Sequence, residues 1–335
     1  MAWSRSGLSI LVGVYLAVLV AAFVAIFPGS AKSGWPALLR ELGHLLFVPV
    51  PFLLVSALLV RARLALLGLA VPLLAFAYFY GPQFTPREPA QGSASSFRVL
   101  SFNAGASRGL GRPETTLRTI DSVGPDVICL VEAPANTLAT VGAELRDAYP
   151  YQVGSADIFV LSRLPLTDAR PEILTSGAKD SLQVTLEVDH RLMTLTVVHL
   201  QRIDSYAGLH GGPALIARAV RTFSTDARDA AVNELMELLR AEGGTQIVVG
   251  DLNMTPTSQA YRRLNTVLHD AFLEGGWGLG HTYPTSLRAF GSSLSMPLVR
   301  IDYILHSSDL VARRSWVGPN GGSDHLPVAA DLAVR

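Results

Sequence analysis

Residues Leu8 to Phe27 read LSILVGVYLAVLVAAFVAIF, twenty positions without a charge. At about 1.5 Å per residue, such a run matches the roughly 30 Å hydrocarbon core of a bilayer. A helix that is apolar on every side must be buried in protein or in lipid, so this run limits what the chain can become. Two further apolar runs follow: Leu42 to Val60, interrupted by His44, Pro49 and Pro51, and Leu64 to Tyr80, which contains Pro72. Membrane helices tolerate proline because neighbouring groups re-satisfy the freed backbone. Trp3, Trp35 and the Tyr78–Tyr80 cluster stand at run ends, where interfacial aromatics gather. A cleaved signal has an apolar core of only about 7–15 residues, shorter than the first run. The sequence predicts a membrane anchor over residues 1–80, with three transmembrane helices at 8–27, 42–60 and 64–80.

The formal net charge of the 335 residues is zero, and that balance hides two opposed parts. Residues 1–85 carry five basic side chains (Arg5, Lys32, Arg40, Arg61, Arg63) and one acid, Glu41. The remainder holds 22 basic and 26 acidic residues, a net of −4. Arg61 and Arg63 lie in the tight connection between the second and third runs, and basic loops favour the cytoplasm. An odd number of crossings then puts everything after Tyr80 outside the cytoplasm. The single cysteine, Cys129, excludes an internal disulfide and fits either side of the membrane.

Residues 81–96 (GPQFTPREPAQGSASS) have the composition of a linker. From Phe97 the pattern changes to short strand-like runs at 97–103, 126–131, 157–162, 182–188, 192–199, 246–250 and 300–305. Helical patterns lie at 113–123, about 135–148 and 225–241, the last ended by Gly243 and Gly244. Strands mixed with helices at irregular spacing predict one α/β or α+β domain over 97–335. Residues 202–223 fit two readings: an interfacial amphipathic stretch around Ala214–Val220, or a core-packing helix or substrate loop.

Polar residues recur where these strands end. Asn103 closes FRVLSFN, Glu132 closes DVICLVE and His199 closes LTVVH. Asp251 and Asn253 follow IVVG, Asp302 sits in RIDYIL, and Asp324 and His325 lie in GGSDHLPV. One carboxylate after a strand is commonly a cap. A repeated pattern of this kind marks a ligand site beyond the strand ends. Arg163, Asp204, His210 and His281 read as structural or loop residues.

The ordered set VLSFN, DVICLVE, LSRLP, VVHL, VVGDLN, RIDYIL and SDHLPV resembles the endonuclease/exonuclease/phosphatase (DNase I-like) superfamily, in a membrane-anchored bacterial form. The resemblance covers about 97–335. It implies a four-layer α/β sandwich of two mixed β-sheets, and a hydrolase of phosphate ester or phosphoanhydride bonds that depends on Mg²⁺ or Mn²⁺. It implies metal ligation or support from Glu132, Asn103 and Asp324. Asp251 would orient or deprotonate the attacking water, and Asn253 would donate to a phosphoryl oxygen. His325, oriented by Asp302, would bind the scissile phosphate or act as acid/base, and His199 would be a second phosphate contact. Gly105 stands where abasic-site nucleases carry an aspartate, and Val131 where many members have glutamine, departures that argue against DNA-repair specificity.

Nucleic-acid affinity rests largely on Lys and Arg. The domain after the linker is net acidic, has one lysine (Lys179) and shows no basic run with interleaved aromatics. Tethering to the bilayer favours a substrate in or near it. The expected function is phosphohydrolase or phosphodiesterase action on a lipid-linked substrate at the outer face of the cell membrane. The resemblance to anchored bacterial members points to a polyprenyl pyrophosphate. The partners expected are the lipid bilayer and a phosphorylated or pyrophosphate-bearing substrate, with nucleic acid less favoured. The competing readings are an extracytoplasmic endonuclease or exonuclease, and a non-catalytic binding module.

Overall fold

The four N-terminal helices are α1 (Arg5–Ile26), α2 (Gly34–Glu41), α3 (Pro49–Leu59) and α4 (Arg63–Tyr80). A computed structural model provides their arrangement and describes residues 4–26, 32–85, 96–105, 112–202, 213–285, 287–289, 292–294 and 296–335. The first and third apolar runs form helices long and apolar enough to cross a membrane, over Arg5–Ile26 and Arg63–Phe84. The second run differs from the single span predicted at 42–60. A 3-10 turn occupies Gly43–Phe47, and α3 starts afresh at Pro49, where a proline's missing N–H costs nothing. Together with α2 this segment makes one span only as a pair bent by 74°. Pro72 sits inside α4 without ending it.

Leu8, Val12, Ala57, Ala62, Ala65 and Leu69 form the buried seam among α1, α3 and α4. The opposite faces expose Ile10, Val14, Phe52, Leu59, Leu67 and Leu74. A water-soluble surface rarely gathers so many large apolar side chains.

The rest of the chain runs β1 (Ser96–Asn103), α5 (Pro113–Val123), β2 (Val127–Val131), α6 (Ala135–Glu144), β3 (Tyr151–Gly154), β4 (Ile158–Ser162), β5 (Leu166–Pro171), β6 (Ala178–Val188) and β7 (Arg191–Leu200). It continues through α7 (Pro213–Thr222), α8 (Asp226–Glu242), β8 (Gln246–Asp251), α9 (Gln259–Leu264), β9 (His269–Asp270), α10 (Ala271–Gly275), β10 (Leu287–Ala289), β11 (Ser292–Leu294), β12 (Asp302–His306), β13 (Leu310–Val317) and β14 (Val328–Val334). Residues up to Thr85 group with 213–225 and Thr257–Gln259 as one unit, and the remaining described residues form a second. The greater part of the expected linker, 86–95, lies outside the described residues, as do Asp204 and His210.

The second unit contains two six-stranded mixed sheets, ordered β13-β14-β1-β2-β4-β3 and β5-β6-β7-β8-β12-β9. In each, one parallel pair, β1 with β2 and β7 with β8, interrupts antiparallel neighbours. Alternate residues of both sheets face each other in one apolar core: Val99, Val127, Cys129 and Val160 from the first, Leu182, Leu195, Val197, Val249 and Ile304 from the second. The opposite face of the first sheet packs with α5 and α6 through Leu100, Phe102, Ile120, Leu130 and Val141. That of the second packs with α8 through Val198, Leu200, Val248, Leu235 and Leu239. The result is the four-layer sandwich that the resemblance implied.

Candidate active site

Strand periodicity builds the site. Successive side chains alternate faces, so each inward-facing row continues in steps of two. Leu195 and Val197 face the inter-sheet core, and His199 is next in their row; Ile247 and Val249 lead to Asp251 in the same way. Ile304 shares its face with Asp302, and Val99 shares its face with Asn103. The register then aligns the rows across the second sheet. Asp180 pairs with His199, His199 with Asp251, and Asp251 with Asp302. On the first sheet Asn103 pairs with Val131, the residue before Glu132. The core therefore ends in a layer of polar groups where the two sheets present their strand ends.

Asp251 is the hub. Its Oδ2 accepts from Asn103 Nδ2 at 2.9 Å and lies 4.0 Å from His199 Nε2 and 3.8 Å from His325 Nε2. Its Oδ1 accepts from the Asn253 backbone N–H at 2.9 Å. Asn103 Nδ2 also donates to Glu132 Oε2 at 3.2 Å, and its Oδ1 accepts from Gly105 N. As arranged, the Asn103 amide orients two carboxylates and does not turn its own oxygen outward. A Cβ at position 105 would lie 2.6 Å from that oxygen, which accounts for the glycine there.

Two histidine–carboxylate pairs flank the hub. His325 Nδ1 bonds Asp302 Oδ2 at 2.9 Å. His199 Nδ1 bonds Asp157 Oδ2, and its Nε2 stands 3.6 Å from Glu132 Oε2. His199, Asp302 and Asn103 are fully buried, and His325 and Asp251 nearly so. His199 Nε2 and Asp302 Oδ1 have no hydrogen-bond partner. Buried polar atoms without partners are costly and call for an explanation, which a substrate or ion bound here would supply.

Charge follows from this packing. Burial opposes a cation on His325, but the carboxylates of Asp302 and Asp251 outweigh it and push the pKa up to about 9. The imidazolium therefore persists at neutral pH. Burial, with the charge of Asp302, raises the Asp251 carboxyl, while His325, His199 and the Asn253 N–H act against the rise. Burial also acts to raise Asp157, yet its bond to His199 and that ring's charge hold it below the usual carboxylate range.

Sequence reasoning missed several supporting residues. Asp157 opens a strand-like run, with no local mark of its role. Its backbone N–H donates to Asp180 Oδ2 at 2.7 Å, and its carbonyl accepts from Glu132 N at 2.9 Å. Lys179 places Nζ 3.7 Å from Glu132 Oε1; its standing as the lone lysine of the domain was the available signal. The Tyr283 ring lies 4.7 Å from that of His325. Ser323 Oγ donates to the Asn103 carbonyl at 2.7 Å and accepts from His325 N, which fixes the SDH turn against β1. Arg228, buried in α8, donates to the Asn253 carbonyl at 2.9 Å.

The remaining candidates fall as follows. Asn253 joins the cluster through its backbone, and its Nδ2 donates to the Leu200 carbonyl at 3.0 Å. Asp324 is half-buried, and its charge adds to those acting on His325. Arg163 lies over the Tyr149 ring and 3.7 Å from Asp126, a structural place, and His281 contacts the Pro297 carbonyl. Glu132 and Asn253 both adopt left-handed backbone, at φ 56 and 48. Such strain in non-glycine residues collects at functional sites.

Five carboxylates (Glu132, Asp157, Asp251, Asp302, Asp324) surround the site, against the charges of His325 and Lys179. That excess, built of hard oxygen donors, fits a divalent cation. Ligand atoms of Asp251, Asp302 and His325 also lie within 4.8 Å of one another. Because His325 Nδ1 is committed to Asp302, these two are better described as a pair than as a ligand set.

Comparison with known proteins agrees with this fold. The domain model described as the endonuclease/exonuclease/phosphatase family matches residues 96–325. No curated protein matches the chain. Among solved structures, an endonuclease/exonuclease/phosphatase from Bacteroides vulgatus superposes with a TM-score of 0.56 at 16% identity, covering 72% of this chain and all of that one. The human Nocturnin catalytic domain with bound sulfate gives 0.51 at 19% identity, covering 72% and 94%. Sphingomyelinase C from Streptomyces griseocarneus gives 0.51 at 20%, covering 71% and 99%. At these identities the likeness is one of fold, and the family rests on the domain match across most of the chain. The chain belongs to the endonuclease/exonuclease/phosphatase family.

Proposed function

We propose that the protein is a membrane-anchored, divalent-metal-dependent phosphohydrolase acting on a lipid-linked phosphate ester or pyrophosphate at the outer face of the membrane. One observation carries the hydrolase reading: two histidine–carboxylate pairs converge on Asp251, with His199 Nε2 left unpartnered between Asp251 and Glu132. A binding module has no need of a buried imidazolium opposite a carboxylate of raised pKa.

Glu132 and Asp324, with Asn103 in support, would hold Mg²⁺ or Mn²⁺, which when bound polarises a phosphoryl oxygen. Asp251 orients the attacking water and accepts its proton, and its raised pKa suits it as a base. His325 holds its proton toward the phosphoryl group and stabilises the growing charge. Asp302 keeps that proton in place. His199 is oriented by Asp157 and directs Nε2 at the same group. The Asn253 amide has a second hydrogen for a phosphoryl oxygen.

The lipid reading is supported by two helices of membrane-span length, the apolar surface they expose, and the acidic balance of the domain. The fold likeness to sphingomyelinase C is consistent with a lipid substrate. The test is a panel on the purified full-length chain: polyprenyl pyrophosphate, sphingomyelin, inositol phosphates and plasmid DNA, each with Mg²⁺ and with EDTA. Turnover of a lipid-linked substrate should vanish in EDTA and fall at least ~10²-fold in Asp251→Ala and His325→Ala. Unchanged turnover in both variants overturns the site, and turnover of plasmid DNA alone overturns the substrate class.

A further inference from the structure

Residues 213–225, ahead of α8, belong by their packing with the N-terminal helices. Phe223 is fully buried against Ala37 and Leu38 of α2, with Leu42 and Val220 beside it. Gly34 N donates to the Phe223 carbonyl at 2.8 Å, Thr225 N donates to the Lys32 carbonyl at 2.9 Å, and Ser33 and Ser224 form an antiparallel bridge. Thr257 Oγ1 donates to the Arg40 carbonyl at 2.6 Å. Thus α2 and α7 make one welded pair.

The outward side of this pair has a definite chemistry. On α7, Ala214, Ala217, Arg218 and Arg221 are exposed at helical spacing, while Ala219 is buried. On the α2 side, Lys32 and Trp35 are exposed, Trp35 by 55%. Residues 213–225 contain no acid, and the single acid of 32–41, Glu41, is buried. The surface therefore presents three cations and an indole with no exposed carboxylate among them. Its position is limited by the chain: Lys32 is six residues beyond Ile26, the end of α1, a reach of at most about 22 Å. A 74° bend separates α2 from the helical segment that leads into α3, so α2 does not continue along the direction of that apolar segment.

We infer that the α2–α7 pair is an interfacial platform that binds anionic phospholipid headgroups through Lys32, Arg218 and Arg221, with Trp35 at headgroup level. The inference rests on the reading of α1 as a membrane span. It adds a lipid-binding surface distinct from the hydrolytic residues. Each cation near an anionic leaflet should contribute about fivefold to the bound population, and the three together on the order of 100-fold, less in high salt.

The native cysteine is buried, so spin labels can be placed singly on the full chain in nanodiscs of phosphatidylcholine with phosphatidylglycerol. Labels at Val14→Cys on α1, Ala217→Cys on α7 and Leu192→Cys as an exposed control in the other unit are compared for collision with oxygen and with aqueous nickel chelate. The label at 217 should be shielded from nickel while that at 192 is not. Combining Ala217→Cys with Lys32→Gln, Arg218→Gln and Arg221→Gln, or adding salt, should return the label to water. A label at 217 as accessible as that at 192, with 14 in lipid, overturns the platform and leaves the span intact. A label at 14 in water overturns the span reading and the platform with it. Shielding at 217 that survives loss of all three cations overturns the anionic-headgroup chemistry. Protection by single-stranded DNA in detergent, without protection in anionic discs, assigns the surface to nucleic acid instead and overturns the inference. No readout involves turnover, so loss of the hydrolase reading would be seen separately.

Discussion

Asp302→Asn separates the charge of the Asp302–His325 pair from its hydrogen bond. Asparagine keeps the shape and an acceptor near Nδ1, now at 2.9 Å from the carboxylate, and removes the negative charge. In the native chain burial works against the imidazolium, yet Asp302 and Asp251 carry its pKa from 6.5 to about 9. At about 1.4 kcal/mol per pH unit, that interval is about 3 kcal/mol of preference for the cation. With Asp302 neutralised, burial remains and only Asp251, 3.8 Å from Nε2, and the charge of Asp324 oppose it, so the pKa should fall toward the ordinary value of 6.5. A cation of raised pKa stabilises the fold in full below about 6.5 and loses that contribution as pH rises through about 9. Two assays read this on the full chain: kcat/KM with saturating Mg²⁺ on a water-soluble phosphodiester, and Tm in EDTA, both from about pH 5 to about 10. The native enzyme should show an alkaline limb near 9 and a Tm that declines toward it. The variant should lose the limb to about 6.5, lose at least ~10²-fold in rate between about pH 7 and 8, and show a flat Tm over the alkaline range. An alkaline limb still near 9 in the variant, with an unchanged Tm slope, refutes the assignment of His325 as a cation held by Asp302.

Gly250, beside Asp251, has φ +130, and a Cβ there would stand 2.0 Å from the Val198 carbonyl oxygen. Gly250→Ala should lower stability by at least about 3 kcal/mol, and an unchanged thermal midpoint would remove the close-approach argument. Arg300 is buried under the rings of Tyr303, Phe272 and Tyr261 and donates to Asp270 Oδ2 at 2.6 Å. Arg300→Met should cost about 3–5 kcal/mol by stranding a buried carboxylate, and adding Asp270→Asn should recover part of it; a double variant less stable than the single one contradicts this.

What could be read from the chain divides along physical lines. Buried strands such as VICLV and QIVVG are continuous apolar runs, so the sequence marks the ends of β2 and β8 to within a residue. Edge and near-edge strands carry no such signal. LTDARP (β5) is exposed and polar along most of its length, as edges must be to avoid pairing with other chains, and no apolar pattern marks it. The site residues were legible because each strand end is marked by a polar residue breaking an apolar row. Their partners were not, because Asp157, Lys179 and Tyr283 reach the site only through strand pairing and loop closure across the fold. The second apolar run reads as one span because hydropathy is blind to direction, whereas Pro49 at a helix start and the 3-10 turn before it bend the path.

The site's place at the end of the inter-sheet core bears on how a substrate can reach it. His199, Asp251, Asp302 and Asn103 continue rows whose preceding members are locked in the core, so their side chains are held by packing on one side and by each other on the next. Preorganisation of this kind is what electrostatic catalysis needs. It also means that approach from the core side is closed. Among the described residues, the members with accessible surface are Glu132, Lys179 and Asp157, whose side chains are 31%, 38% and 30% exposed, and the half-buried Asp324. A phosphorylated group approaching over Glu132, Asp157 and Lys179 would meet the lysine's charge before the two histidines. Lys179 can compensate a second negative charge there, as a pyrophosphate would bring, without touching the buried hub. Neutralising Lys179 should accordingly raise KM for a pyrophosphate more than for a phosphodiester and leave kcat on the diester near its native value. Equal losses on both substrates would mean that Lys179 serves only to hold Glu132.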